Sequence, residues 1–481
     1  MRKRFEINLT LGCTPIDKIQ IPTKSRDEFP PFLRAMQYIY SNKDINEQVF
    51  SLLESAICTK NPTGRPGMDL WQIFVLAGTR LCLNVDYDRL HFLANDGGLL
   101  RQMLGVHDGI VRGREFERQT IIDNVSLLDD NTLREINKII VEIGHKMLKK
   151  KETEALRVKI DSFVTEANVH FPTDYNLLWD SARKCLDVLK HLIKQQPSHC
   201  KGWRKIKSWR QTLKNQMLIL SRSTVDKSKN RQTRITKAAE NYLSTSRTLS
   251  AKIHNVMQLN DANALDIIHY KQLQYYCEML DKHIDLVERR LIKGEAIPHE
   301  EKLFSIFEPW VEWICKGKKH KLVELGKLTC IASDQWHFML DWHVANHQSD
   351  NQMLIPVVDR ILSTHKKIFS CSTDKNFFSK EDVEVLEVFD IKPIIPKKGK
   401  RSLSDIEKES DKDFIKLRHK HSAIESNINE LEHRGLNRCP DKGLKGFTRY
   451  VGLAVIAYNL KRMGEVLLQR DREAEALRQA A

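Results

Sequence analysis

The chain has 481 residues, of which 41% are hydrophobic and 29% are charged, and its formal net charge is +15. This length predicts two or three domains, and the composition fits a soluble globular protein rather than a disordered one. The best candidate for a membrane span, Val451 to Leu460, has only ten residues, so we expect no membrane association. The ten cysteines never form a Cys-x-x-Cys pair, which favours a reducing, cytoplasmic environment.

The first third of the chain shows helical periodicity. In "DLWQIFVLAGTRLCLNV" (Asp69 to Val85), apolar residues recur every three or four positions, and "DDNTLREINKIIVEIGHKMLKKK" ends in a lysine cluster. Short helices with basic ends suit a DNA-binding module, although the pattern alone allows a plain helical bundle equally well.

A buried strand follows, in "VKIDSFVTEANVHFPTD" (Val158 to Asp174), with Asp161 in its middle. The next strand-like sequence comes only at Lys327 to Asn346, where two strands meet at Asp334–Gln335. The helix "SDNQMLIPVVDRILSTH", the strand "KIFSCS", the helix "SKEDVEVLEVF" and the strand "KPIIP" come next, an alternation that is typical of an α/β domain. The first strand should therefore pair with strands more than 150 residues later, and the intervening region is an insertion.

The insertion is helical and strongly basic at its start. Between Lys201 and Lys252 there are 14 Lys or Arg residues and two acidic residues, which gives this segment +12. Concentrated positive charge attracts polyanions, most often nucleic acid. Trp203 and Trp209 could stack on bases or pack in a core. The candidate DNA contacts here are Lys201, Arg204, Lys205, Lys207 and Arg210.

Three acidic residues of the α/β region stand where packing alone would not place them: Asp161 in a strand, Asp374 just after "KIFSCS", and Glu425 beside the apolar stripe of a helix. Converging carboxylates repel one another unless cations neutralise them. Magnesium prefers oxygen ligands, and two such ions can promote phosphoryl transfer. Ordinary capping and surface roles for each acid stay open on these residues alone.

Several ordered blocks resemble bacterial insertion-sequence transposases with an Asp-Asp-Glu (DDE) site. They include "VKIDSFVTEANVHFPTDYNLLWD", "STDKNFFSKEDVEVL" and "RHKHSAIESNINELEHRGLNRCPDKGLKGFTRYVGLAVIAYNLKRMG", and an N-terminal block beginning "NPTGRPGMDLWQIF" is similar to the helical domain of these proteins. The resemblance implies that Asp161, Asp374 and Glu425 are the catalytic, metal-binding residues. It also implies Mg²⁺, with Mn²⁺ as a substitute, as the cofactor.

The resemblance further implies what the protein acts on. We expect cleavage of double-stranded DNA at terminal inverted repeats, strand transfer into target DNA, a homodimer on DNA, and a bacterial, nucleoid-associated location. Two alternatives stay open: a transposase-derived DNA-binding protein that lacks cleavage activity, and a nuclease that only hydrolyses DNA.

One departure from the family concerns the residues around Glu425. Many relatives carry Tyr-x2-Arg-x3-Glu-x6-Lys, and the corresponding positions here hold Arg418, His421, Glu425 and Glu432. Arg418 and His421 remain candidate DNA contacts, without the base stacking that a tyrosine would offer. Glu430 is the alternative third metal ligand if the alignment is displaced.

These expectations define a fold class. The prediction is an α/β protein with a ribonuclease H-like catalytic core that is interrupted by a long helical insertion and preceded by an all-helical N-terminal DNA-binding domain. The predicted boundaries are 1–155 for the N-terminal domain, 156–182 with 300–470 for the catalytic domain, and 183–299 for the basic insertion.

Overall fold

The computed structural model describes residues 2–5, 13–57, 67–106, 115–151, 154–195, 203, 205–258, 267–315, 322–365 and 367–480. The chain forms two compact units, one of residues 1–168 and 314–481 and the other of residues 169–313. The predicted division into three domains stays a prediction. Within the described part of the chain, every helix is too short or too polar to cross a lipid bilayer.

The described residues before the first strand of the sheet form helices, as the periodicity predicts. Asp129 caps the last of these helices, where its carboxylate accepts a hydrogen bond from the Thr132 backbone N–H at 2.8 Å. The helices are α1 (Phe29–Ser41), α2 (Lys43–Ile57), α3 (Leu70–Cys82), α4 (Tyr87–Asp96), α5 (Gly98–Met103), α6 (Arg118–Val125) and α7 (Asp130–Met147).

The first unit also contains a mixed β-sheet. Its strands are β1 (Leu156–Ala167), β3 (Glu324–Ser333), β4 (Met339–Val344), β5 (Ile368–Ser372), β6 (Lys392–Ile394) and β7 (Arg438–Cys439). The boundary between the two units along the chain falls within β2 (Glu312–Ile314). The path runs β3-β1-β5-β6, with β4 beside β3 and β7 beside β1. β1 is antiparallel to β3 and parallel to β5. Lys159 pairs with Ser333, which confirms that the first strand finds a partner more than 150 residues later.

The helices that follow the sheet strands are α12 (Asp350–Thr364), α13 (Lys380–Val388), α14 (Leu403–Ser410), α15 (Lys412–His421), α16 (Ala423–Leu431) and α17 (Gly443–Ala480). α12 and α13 match the predicted order. α14 was not predicted, and the predicted helix around Glu425 is divided at Ser422 into α15 and α16. The middle of α17 is buried and packs against α1, α3 and α7. The backbones of α1 and α17 approach closely, because a Cβ placed on Gly464 would lie 1.7 Å from the Pro31 carbonyl oxygen. The N-terminal helices and the sheet thus share one packed unit.

The second unit consists mainly of long helices, as predicted for the insertion. They are α8 (Asp174–Gln195), α9 (Ile206–Val225), α10 (Arg231–Gln258) and α11 (Ile267–Leu291). α11 packs against α8, and α10 packs against both α9 and α11. Their apolar faces form one core, in which Trp203 is 5% exposed. This burial favours the packing interpretation of Trp203 over base stacking.

Candidate active site

Asp161 lies in the central strand β1, flanked by β3 and β5. Side chains alternate along a strand, so Asp161 shares a face with Lys159 and Phe163. Its half-buried carboxylate accepts a hydrogen bond from the Ser162 backbone N–H at 2.7 Å. A strand with neighbours on both sides fixes the position of a side chain, which suits a metal ligand.

Asp374 follows β5 and caps a short 3-10 turn. Its two carboxylate oxygens accept hydrogen bonds from the backbone N–H and the side-chain amide of Asn376, at 3.0 and 3.1 Å. Lys159 of β1 pairs in parallel with Ser372 of β5. Asp161 comes two residues after Lys159 within β1, and Asp374 comes two residues after Ser372, the last residue of β5. Asp374 therefore follows the strand that lies beside β1.

Glu425 occupies the first turn of α16, which packs against β1. Ile424, Asn427 and Leu431 form the buried side of this helix, and Asn427 donates a hydrogen bond to Ser333 Oγ at the end of β3, at 3.1 Å. Glu425 is exposed beside that buried side. The structure therefore sets Asp374 just after the strand beside β1 and packs the Glu425 helix against β1. Among the described residues, the carboxylate oxygens of the three acids do not all lie within 4.8 Å of one another.

The three predicted ligands carry only carboxylate oxygens. Such a donor set fits hard divalent ions such as Mg²⁺ and Mn²⁺, and it does not suit softer metals that prefer sulfur or imidazole. Asp374 lies at the carboxyl end of β5, where open sheets bind their ligands, whereas Asp161 lies in the middle of the neighbouring strand β1.

A cleft of about 620 Å³ opens beside Asp374. Arg418 lines it and donates a hydrogen bond from Nη1 to the Thr373 carbonyl oxygen at 2.7 Å, directly before Asp374 in the chain. Lys375, Arg401 and His419 also line this cleft. Cationic side chains beside a carboxylate site can hold the phosphates of a nucleic acid near the metal ions.

A second cleft, of about 360 Å³, borders the start of α16. Lys159, Lys420, Ser422 and Ser426 are among its lining residues. Lys159 is only 7% exposed. Burial and the nearby charge of Lys420 lower the pKa of Lys159, and the charge of Asp334 opposes this shift only in part. Sequence reasoning missed Lys159, although its position two residues before Asp161 places it on the same face of β1.

His421 is 5% exposed, so its predicted DNA contact would require the side chain to leave its buried position. A hydrogen bond of 3.2 Å joins its Nδ1 to Ser372 Oγ. Burial, together with the charges of Arg418 and Lys159, lowers the pKa of His421 to about 4. The imidazole is therefore neutral at about pH 7 and supports the end of β5 from α15.

The depressed pKa of His421 predicts acid sensitivity. In the unfolded chain His421 takes up a proton near its ordinary pKa of about 6.5, but in the folded chain it does so only near pH 4. The folded state therefore loses stability as the pH falls from about 6.5 to about 4. We expect His421→Asn to reduce this acid-induced decrease in the free energy of unfolding by up to about 3 kcal/mol. Urea unfolding at several pH values measures it, with the exposed neighbour His419→Asn as control. Equal pH dependence in both variants would contradict the prediction.

Glu430, the alternative third ligand, is engaged in ion pairs. Its Oε1 accepts hydrogen bonds from Lys461 Nζ at 2.7 Å and from Arg434 Nη2 at 3.0 Å. Burial opposes its ionisation, but Lys461 and Arg434 hold the pKa of Glu430 below its ordinary value. This pairing favours Glu425 over Glu430 as the third ligand.

The predicted contacts in the basic insertion lie in the second unit. Lys201 and Arg204 fall outside the described residues. Lys205 and Lys207 are exposed at the start of α9, and Arg210 forms an ion pair with Asp187 at 2.7 Å. Lys205 and Lys207 therefore present their charges to solvent, while the charge of Arg210 is partly neutralised.

Comparison with known proteins identifies part of the chain. Residues 294–460 match the family model described as "Transposase DDE domain". Asp374 and Glu425 fall within the matched residues, whereas Asp161 precedes them. Comparisons with curated proteins and with solved structures gave no match. Residues 294–460 are thus similar to the DDE domain of transposases.

Proposed function

We propose that the protein is an insertion-sequence DNA transposase that cleaves the terminal repeats of its element and transfers the freed 3′ ends into target DNA. The observation that carries the proposal is the order of these elements: Asp161 lies in β1, Asp374 follows the parallel neighbour β5, and the helix of Glu425 packs against β1. The mixed sheet around β1 supports a ribonuclease H-like core.

In this proposal Asp161, Asp374 and Glu425 hold the divalent ions. Mg²⁺, when bound, activates the attacking oxygen and stabilises the leaving oxygen of a phosphodiester. The protein positions the DNA. Arg418 and Lys375 line the cleft beside Asp374 and can bind the phosphates that flank the scissile bond. The same site can then use water for cleavage and a 3′ hydroxyl for strand transfer.

DNA recognition falls to the remaining parts of the chain. The N-terminal helices are the proposed DNA-binding domain for the terminal repeats, and the basic helical insertion adds sequence-independent contacts to the phosphate backbone. A homodimer on DNA would allow both element ends to be processed together. The proposed location is the bacterial nucleoid.

A salt titration tests the basic insertion. We expect Lys205→Gln/Lys207→Gln to weaken DNA binding and to reduce the slope of log affinity against log salt by up to roughly 1.8, because each neutralised phosphate contributes about 0.9. The control is Lys293→Gln/Lys302→Gln, which removes two exposed lysines of the same unit outside the basic segment. Equal slopes for both double variants would show that α9 does not touch DNA.

Product analysis tests the proposed reaction. The purified protein is incubated with labelled DNA that carries the ends of its own element, with Mg²⁺, with Mn²⁺ or with chelator, together with target plasmid. We expect metal-dependent cleavage and joined products. Cleavage without joined products would indicate a nuclease that only hydrolyses, and DNA binding without cleavage in either metal would indicate a DNA-binding relic.

A further inference from the structure

Among the residues that the structure describes, one group of three metal-ligating side chains has its ligand atoms within 4.8 Å of one another: His254, Cys277 and Asp281. The group lies in the helical unit and is separate in sequence from the three proposed catalytic acids. Two antiparallel helices supply it, since His254 lies on α10 and both Cys277 and Asp281 lie on α11.

Helix geometry explains why these side chains meet. Cys277 and Asp281 are four residues apart, so they occupy the same face of α11, one turn from each other. Ser250 and His254 have the same spacing on the facing side of α10. The packing of α10 against α11 brings the two pairs together.

The distances between the ligand atoms suit a tetrahedral ion. Cys277 Sγ lies 3.6 Å from His254 Nε2. A tetrahedral zinc ion, about 2.3 Å from sulfur and about 2.0 Å from nitrogen, holds such a pair roughly 3.5 Å apart. His254 Nε2 and Asp281 Oδ2 are hydrogen-bonded at 2.8 Å and would need to separate by roughly 0.5 Å to ligate the same ion.

The surroundings also match those of a metal site. Ser250 Oγ donates a hydrogen bond of 2.5 Å to Asp281 Oδ1, which orients the carboxylate and leaves Oδ2 facing His254. Cys277 is 1% exposed, whereas His254 and Asp281 border a cleft of about 430 Å³. A buried sulfur on one side and a cleft on the other leave space for a fourth ligand.

We propose that His254, Cys277 and Asp281 bind a transition-metal ion, with Zn²⁺ as the ion that fits best and the fourth position open to the cleft. A thiolate, an imidazole and one carboxylate form a set that zinc accepts and magnesium does not. The ion cross-links α10 to α11 within the basic unit. Its chemistry differs from that of the all-oxygen catalytic site.

Cobalt substitution tests the proposal, because Co²⁺ bound to a thiolate gives a charge-transfer absorption that carboxylate ligands do not give. Full-length protein is treated with chelator, dialysed and titrated with Co²⁺ and then with Zn²⁺. We expect the absorption to saturate at one ion per chain and to disappear when Zn²⁺ displaces Co²⁺. Absence of the absorption in wild-type protein would overturn the proposal.

Two variants and a control assign the absorption to this site. Cys277→Ser should abolish it, and His254→Ala, which changes an exposed side chain, should weaken Co²⁺ binding more than about tenfold. Cys315→Ser, which changes an exposed cysteine outside the group, should leave it unchanged. An undiminished absorption in Cys277→Ser, or an unchanged affinity in His254→Ala, would overturn the proposal.

Discussion

Asp374→Ala is expected to reduce Mg²⁺-dependent DNA cleavage by at least roughly 100-fold, a typical loss when one group that stabilises transition-state charge is removed. The substitution removes a carboxylate that follows β5, the parallel neighbour of the Asp161 strand. Because the variant keeps the basic surfaces, DNA affinity should stay within about twofold of wild type. Cleavage rates and binding isotherms on the same labelled DNA measure both quantities.

Matched controls sharpen this experiment. Asp413→Ala removes an exposed carboxylate of the same domain, 3.9 Å from Lys392, and should leave cleavage unchanged. Glu425→Gln should reduce cleavage as strongly as Asp374→Ala, whereas Glu430→Gln should not, because Glu430 is bound to Lys461 and Arg434. Cleavage at the wild-type rate by Asp374→Ala would refute the catalytic assignment. Loss of cleavage in Glu430→Gln but not in Glu425→Gln would identify Glu430 as the third ligand.

Arg80→Met is expected to lower the free energy of unfolding by about 3–5 kcal/mol, the usual cost of removing one partner of a buried ion pair. Arg80 is 2% exposed and donates to both carboxylate oxygens of Asp441, at 2.6 and 3.1 Å. Its guanidinium also lies 3.9 Å from the centre of the Tyr87 ring. Burial opposes the charge on Arg80, but Asp441 keeps the pKa of the guanidinium above its ordinary value.

A surface pair provides the control for this substitution. Arg118 contacts Asp88 at 2.5 Å, but the two side chains are 48% and 72% exposed, so Arg118→Met should cost less than about 1 kcal/mol. Chemical unfolding monitored by circular dichroism compares the two variants with wild type. Equal losses in both would mean that the buried pair with Asp441 adds nothing to stability.

Much of the sheet was predictable because its strands have local signatures. Runs of buried apolar residues mark β1, β3, β4 and β5, and the short strand β6 was found from the apolar sequence "KPIIP". The short strands β2 and β7, with the sequences "EWI" and "RC", were missed because they carry no such apolar sequence. The packing of α17 against the N-terminal helices was also missed, since a contact across more than 300 residues leaves no local trace.

The candidate site was also only partly predictable from local sequence patterns. Asp161 could be found because a carboxylate interrupts an apolar strand, and Asp374 because it follows one. Lys159 was overlooked because its burial depends on neighbouring elements rather than on its own sequence. The group of His254, Cys277 and Asp281 was overlooked because its members come from two helices, 23 residues apart, at spacings that match no sequence motif for a metal site.

Anomalous scattering from Mn²⁺ in crystals of the protein bound to its element-end DNA tests the central claim most directly. We expect Mn²⁺ peaks between the DNA backbone and the carboxylates of Asp161, Asp374 and Glu425. Ordered DNA with Mn²⁺ bound elsewhere, and none at these three carboxylates, would contradict it.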